Sequence, residues 1–97
     1  MLLIFTVFVE KEKLITKKMG KSINIQKVNA QFYTVLDKIT HSRKKLGLTQ
    51  TDIAKKLTIT LSSYCKIESR KTDLDFKRLL EISEVLEVDI AYFLNKE

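Results

Sequence analysis

A chain of 97 residues leaves room for one domain with a modest core and excludes a second folded unit. Its composition, 44% apolar and 31% charged, excludes wholesale disorder, while the absence of proline and the presence of only two glycines argue against a turn-rich sheet, so an all-α domain is expected. The net charge of +6 is unevenly held: residues 41–71 carry eight Lys or Arg against two Asp or Glu, whereas residues 72–97 carry three against seven. That distribution would turn the middle of the chain toward a polyanion, although a solvated helical face gives the same count.

The opening residues 1–9 are apolar, but too few to span a bilayer. They lack the basic start and the small-residue cleavage site of a secretory signal, so no export is expected. Ile4, Thr6, Val7, Phe8 and Val9 favour a strand, which would need a partner edge. Residues 1–28 are therefore expected to be an N-terminal extension, either a β-arm for dimerisation or a loosely ordered stretch, with Met19-Gly20 as an alternative start of the functional chain. The folded domain is expected over residues 29–97. The lone Cys65, with no CxxC or Cys/His cluster to hold zinc or an iron–sulfur centre, fits a reducing cytoplasm, and no metal or cofactor is expected.

From Asn29 the apolar period turns helical. Phe32, Val35, Leu36, Ile39 and Leu46 recur at helical spacings, with Asn29 as N-cap and Gly47 supplying a left-handed C-terminal residue. Thr49-Gln50-Thr51-Asp52 has the pattern of a capping box and starts a second helix, whose inward face is Ile53, Ala54 and Leu57. After residues 58–60 a third helix begins, capped by Thr60 and running over residues 61–69, with Tyr64 and Ile67 inward and the Tyr64 hydroxyl at the rim. Two short helices joined this tightly must cross steeply, which is helix-turn-helix geometry. Asp75 caps a fourth helix with the stripe Phe76, Leu79, Leu80, Ile82 and Leu86, and Asp89 caps a fifth with Ile90, Phe93 and Leu94.

The run Leu48-Thr49-Gln50-Thr51-Asp52-Ile53-Ala54-Lys55-Lys56-Leu57 resembles the opening of the phage-repressor-like, Xre-type helix-turn-helix family. Residues 60–68 resemble that family's recognition helix, and residues 76–94 its two closing helices. The resemblance implies a five-helix, lambda-repressor-like domain that binds double-stranded DNA. It implies that Gln50 grips a phosphate with its amide and the nearby backbone N–H groups, and that the start of the third helix enters the major groove. There Leu61, Ser62 and Lys66 would meet base edges, Ser63 would touch backbone or base, and Thr60 would sit beside them. Lys66 suits guanine acceptors and Leu61 suits a thymine methyl, but an exposed leucine also suits a protein interface or carries no role. Arg43 and Glu68 match a bracing, partly buried ion pair, while Ser69, Arg70, Lys71, Lys44 and Lys45 fall where phosphate contacts are made. Thr58 and Arg70 depart from the family's common glycines, and a β-branched residue at positive φ is costly, so a reshaped turn is expected at Thr58.

Catalysis is not expected: His41 is the single histidine and no nucleophile–base arrangement accompanies it. No sensing domain is visible, so no small-molecule ligand is expected, and Cys65 reads as an ordinary thiol ahead of a redox switch. The expected function is sequence-specific DNA binding as a homodimeric transcriptional regulator of repressor type on a two-fold operator, with a protein-interaction module or an antitoxin of the same fold as the alternative.

Overall fold

The computed structural model describes residues 22–95. The proposed β-arm and alternative start lie outside the described residues. Within them the chain is all-helical: α1 (Ile25–Lys45), α2 (Gln50–Leu57), α3 (Leu61–Glu68), α4 (Phe76–Leu86) and α5 (Ile90–Leu94). Among the described residues no helix is long and apolar enough to cross a membrane.

Helices of eight residues, such as α2 and α3, are not stable alone in water, so their persistence rests on caps and shared packing. Each of α2 to α5 begins on a side chain that accepts from its first turn: Thr49 from Asp52, Thr60 from Ser63, Asp75 from Arg78 and Asp89 from Ala91. At α2 the box is reciprocal, since the Thr49 amide also donates to Asp52 Oδ2 at 2.9 Å. These hydrogen bonds hold the Asp52 carboxyl below its ordinary range.

The start of α1 differs from expectation. Its N-cap is Asn24, whose Oδ1 accepts from the Lys27 amide, and Asn29 lies inside the helix. The added first turn carries Ile25 and Val28, which are exposed, so the apolar period of the buried face does not register it.

The core gathers Leu36 and Ile39 of α1, Ile53, Ala54 and Leu57 of α2, Tyr64 and Ile67 of α3, Leu79, Ile82 and Leu86 of α4 and Phe93 of α5. α2 and α3 pack directly against one another, with small, buried Ala54 on the inward face of α2. Leu46, Phe76, Leu80 and Leu94, placed on inward stripes by the sequence, are exposed instead. At about 100° per residue, Phe76 and Leu80 fall well to one side of the Leu79–Leu86 row, and Ser83 fills the buried position between. Lys38 is buried where an apolar residue would be usual. Its ammonium donates to the Tyr92 carbonyl at 2.9 Å and to that of Asn95, and lies over the Tyr92 ring, so it caps the C-terminal end of α5.

The first four helices all end in Schellman motifs, closed by Leu48 N–H to Arg43, Ile59 to Ala54, Lys71 to Lys66 and Val88 to Ser83. The left-handed residues are Gly47, Thr58, Arg70 and Glu87, at φ between 59° and 74°. The turn after α2 is therefore not reshaped: Thr58 takes the glycine conformation itself, at φ 59° and ψ 43°. A side chain there costs about 1–2 kcal/mol, partly offset because glycine loses about 0.5–1 kcal/mol more chain entropy on folding. Thr58→Gly is expected to raise the unfolding free energy by about 0.5–1 kcal/mol in urea titrations. Gly47→Ala is expected to lower it by a similar amount through φ alone, because nothing lies within 4 Å of the added Cβ.

Candidate nucleic-acid interface

The geometry of the motif is set by one carboxylate. Glu68, on the last turn of α3, accepts from Arg43 Nε at 2.7 Å and Arg43 Nη2 at 3.1 Å, from Gln50 Nε2 at 3.1 Å and from the Tyr64 hydroxyl. Arg43 Nη1 donates onward to the Leu48 carbonyl at 2.8 Å. One group thereby ties α1, the α1–α2 turn, the start of α2 and α3 together. Both members of the ion pair are buried, with side chains 9% and 7% exposed.

Such a pair is sustained because its remaining valences are filled. Burial pushes the Glu68 carboxyl upward, but donation by Arg43, Tyr64 and Gln50 outweighs this and leaves it below its ordinary range. Glu68 in turn raises the Arg43 guanidinium. Burial, then donation to Glu68, lifts the Tyr64 phenol well above the usual range. Tyr64 is wholly buried, so its hydroxyl is not at the rim as the sequence suggested but inside the network.

The outward side of α3 carries Leu61, Ser62, Ser63 and Lys66, all exposed. Ser69 is the C-cap of this helix, not its last residue. Thr60 is committed to capping: its hydroxyl accepts from the Ser63 amide at 3.0 Å and donates to Ser63 Oγ at 2.9 Å. Side chains on one rigid helix, with its inner face locked by Tyr64 and Ile67, are well suited to reading a groove.

Gln50 turns inward. Its Nε2 donates to Glu68, and its Oε1 accepts from Cys65 Sγ at 3.2 Å, so its amide braces α2 against α3. What the start of α2 offers a phosphate is the backbone N–H groups of Gln50 and Thr51, because that of Asp52 is taken by the Thr49 hydroxyl.

Lys44, Ser69 and Arg70 come together around an open cavity between α1 and the loop after α3, whose lining also includes Asp37, His41 and Gln50. Lys71 stays on the exposed loop beyond, with its backbone closing α3. Arg70 does not project freely: its Nη2 lies 3.2 Å from Asp37 Oδ1 and its guanidinium 4.1 Å over the Tyr33 ring. Asp37 and Tyr33 were not singled out in the sequence, and His41 was weighed only for catalysis. Their spacing of four along α1 was the available signal, but nothing local shows that residue 70 would reach them.

The helix-turn-helix family model matches residues 42–93, from the last turn of α1 into α5. Over 55 residues the chain is 40% identical to the uncharacterized HTH-type transcriptional regulator YqaE of Bacillus subtilis (strain 168), a match covering 57% of this chain and 47% of that protein. The chain thus matches about half the length of that relative. No solved structure matches.

Arg43→Ala is expected to lower the unfolding free energy by about 3–5 kcal/mol, because it strands the Glu68 carboxylate. Since the folded-state carboxyl titrates below its unfolded value, its stabilisation is present above about pH 4.5 and is lost as pH falls through the folded value. Urea midpoints taken from pH 7 down to pH 3 should fall less steeply in Glu68→Gln than in the wild type.

Proposed function

Because this chain belongs to the phage-repressor-like helix-turn-helix family, we propose that it is a DNA-binding transcription regulator that reads its operator with α3 in the major groove. The observation that carries the reading is the exposed row Leu61, Ser62, Ser63 and Lys66 on a helix locked from behind, beside a cavity edged by Lys44 and Arg70. Lys66 donates to guanine acceptors, Ser62 and Ser63 exchange hydrogen bonds with base edges or backbone, and Leu61 packs on a thymine methyl. Lys44, Ser69, Arg70 and Lys71, with the first amides of α2, hold phosphates and fix register without reading sequence. The protein acts by binding, as a repressor that occupies its site, and has no catalytic step.

Two copies place two α3 helices on half-sites about one helical turn apart, so the operator is a pseudo-palindrome and the complex holds two chains. The relative's description as a transcriptional regulator supports the regulatory reading, and the pairing of copies is drawn from the geometry of such motifs on DNA.

The test is duplex binding across a salt series. On a selected operator, Lys66→Ala is expected to lose about 1–3 kcal/mol and relax preference at one base, with little change in salt slope. Lys44→Ala is expected to weaken all sequences alike and to reduce the slope of log K against log salt by about 0.9. Folded protein that binds no duplex at low salt would overturn the reading in favour of a protein partner at Leu61, whose side of α3 is exposed.

A further inference from the structure

Arg70 has its backbone direction fixed by the end of α3. It is the left-handed residue of the Schellman motif, at φ 67°, with its own N–H on the Ile67 carbonyl and the next N–H, of Lys71, on the Lys66 carbonyl at 2.9 Å. From that root the side chain reaches back across the cavity to α1, where Tyr33 and Asp37 stand one turn apart on the same face. Tyr33 supports the flat side of the guanidinium, and Asp37 Oδ1 accepts from one edge of it.

This contact is built to exchange. The Arg70 side chain is 43% exposed and that of Asp37 73%, so water screens the pair and its net worth is small. It differs in this from Arg43–Glu68, which shares the lining of the same cavity through Glu68 but is buried and fully hydrogen-bonded. A phosphodiester offers a guanidinium the same paired oxygen acceptors as a carboxylate. The stack on Tyr33 leaves the guanidinium edges open to either partner, because stacking uses only the ring face.

We propose that Asp37 is a built-in competitor of DNA: it occupies Arg70 in the free protein, and the phosphate backbone displaces it on binding. Asp37 and Tyr33 are thus positioning residues that set how tightly the chain holds DNA. The inference rests on the DNA-binding reading above. With Asp37 in place, Arg70 brings no uncompensated charge to the cavity and Lys44 faces the phosphate beside a carboxylate. With the carboxylate gone, Lys44 and Arg70 act together.

The experiment measures binding of the full chain to a mixed-sequence duplex over a salt series, for wild type, Asp37→Asn, Asp37→Glu, Arg70→Ala and the Asp37→Asn/Arg70→Ala double variant. Asp37→Asn is expected to bind roughly one-and-a-half- to fivefold more tightly, the range spanned by one exchangeable surface pair. Its log–log salt slope should stay near the wild-type value, because Arg70 meets a phosphate in both complexes, whereas Arg70→Ala should flatten the slope by about 0.9. Asp37→Glu should stay near wild type, and the double variant should bind no more tightly than Arg70→Ala alone. Unchanged affinity in Asp37→Asn, with wild-type binding plainly measured, would overturn the inference and leave the DNA reading standing. So would an equal gain in the Arg70→Ala background, which would mean that the Asp37 charge acts on DNA directly. Absence of duplex binding by every folded variant overturns both.

Discussion

The Glu68 carboxylate is the point on which the arrangement of this domain turns. It sits almost out of water, an environment that penalises a charge, and it is held there by donors from three separate elements. Because Arg43 belongs to α1, Gln50 to α2 and Tyr64 to α3 itself, the network is satisfied in only one mutual arrangement of those helices. Apolar packing alone tolerates small sliding of one helix over another, whereas a buried bidentate contact does not. The core makes α2 and α3 adhere, and the network specifies the angle at which they do so.

The short connections between helices impose the complementary constraint. The chain must turn within a few residues of the end of each of the first four helices, and each turn places one residue in the left-handed region. Only the first of these is glycine. The strain at Thr58, Arg70 and Glu87 is tolerated because the surrounding caps and core over-determine the backbone. At Arg70 the departure from glycine also has a chemical consequence, since it adds a guanidinium at a point where the backbone conformation aims it at α1.

What was legible in the sequence was local or periodic. The caps at Thr49, Thr60, Asp75 and Asp89 sit next to the amides they satisfy, so short patterns reveal them. Most of the core follows from helical spacing, and it misleads where a stripe runs to its edge, as at Phe76 and Leu80. The first turn of α1 was hidden because its apolar residues, Ile25 and Val28, stay exposed. Lys38 was hidden because its role depends on carbonyls more than fifty residues away. Arg43 and Glu68 came into view only through family resemblance, and the Arg70–Asp37 contact, 33 residues apart, through neither. Gln50 shows a further limit: its position was legible, but whether its amide faces outward or inward depends on Cys65 and Glu68.

The same division between engaged and free side chains bears on how such a small surface could discriminate among sequences. Side chains locked in the frame, such as Gln50 and Thr60, cannot reorganise toward bases without losing bonds that hold the motif together. Under the proposed function, reading falls to a few outward groups, of which Lys66 alone is charged and Leu61 offers shape without hydrogen bonds. At about 1–3 kcal/mol for a good base contact, one copy supplies only part of the roughly 4–10 kcal/mol that separates specific from non-specific binding. Under the proposed reading a second copy on the other half-site supplies the rest, because the base contacts double while each helix keeps the same frame. A surface that attracted DNA strongly through phosphates alone would undermine this by raising affinity for every sequence equally. Restraint of one phosphate-binding arginine by a neighbouring carboxylate would therefore favour specificity at the expense of total affinity.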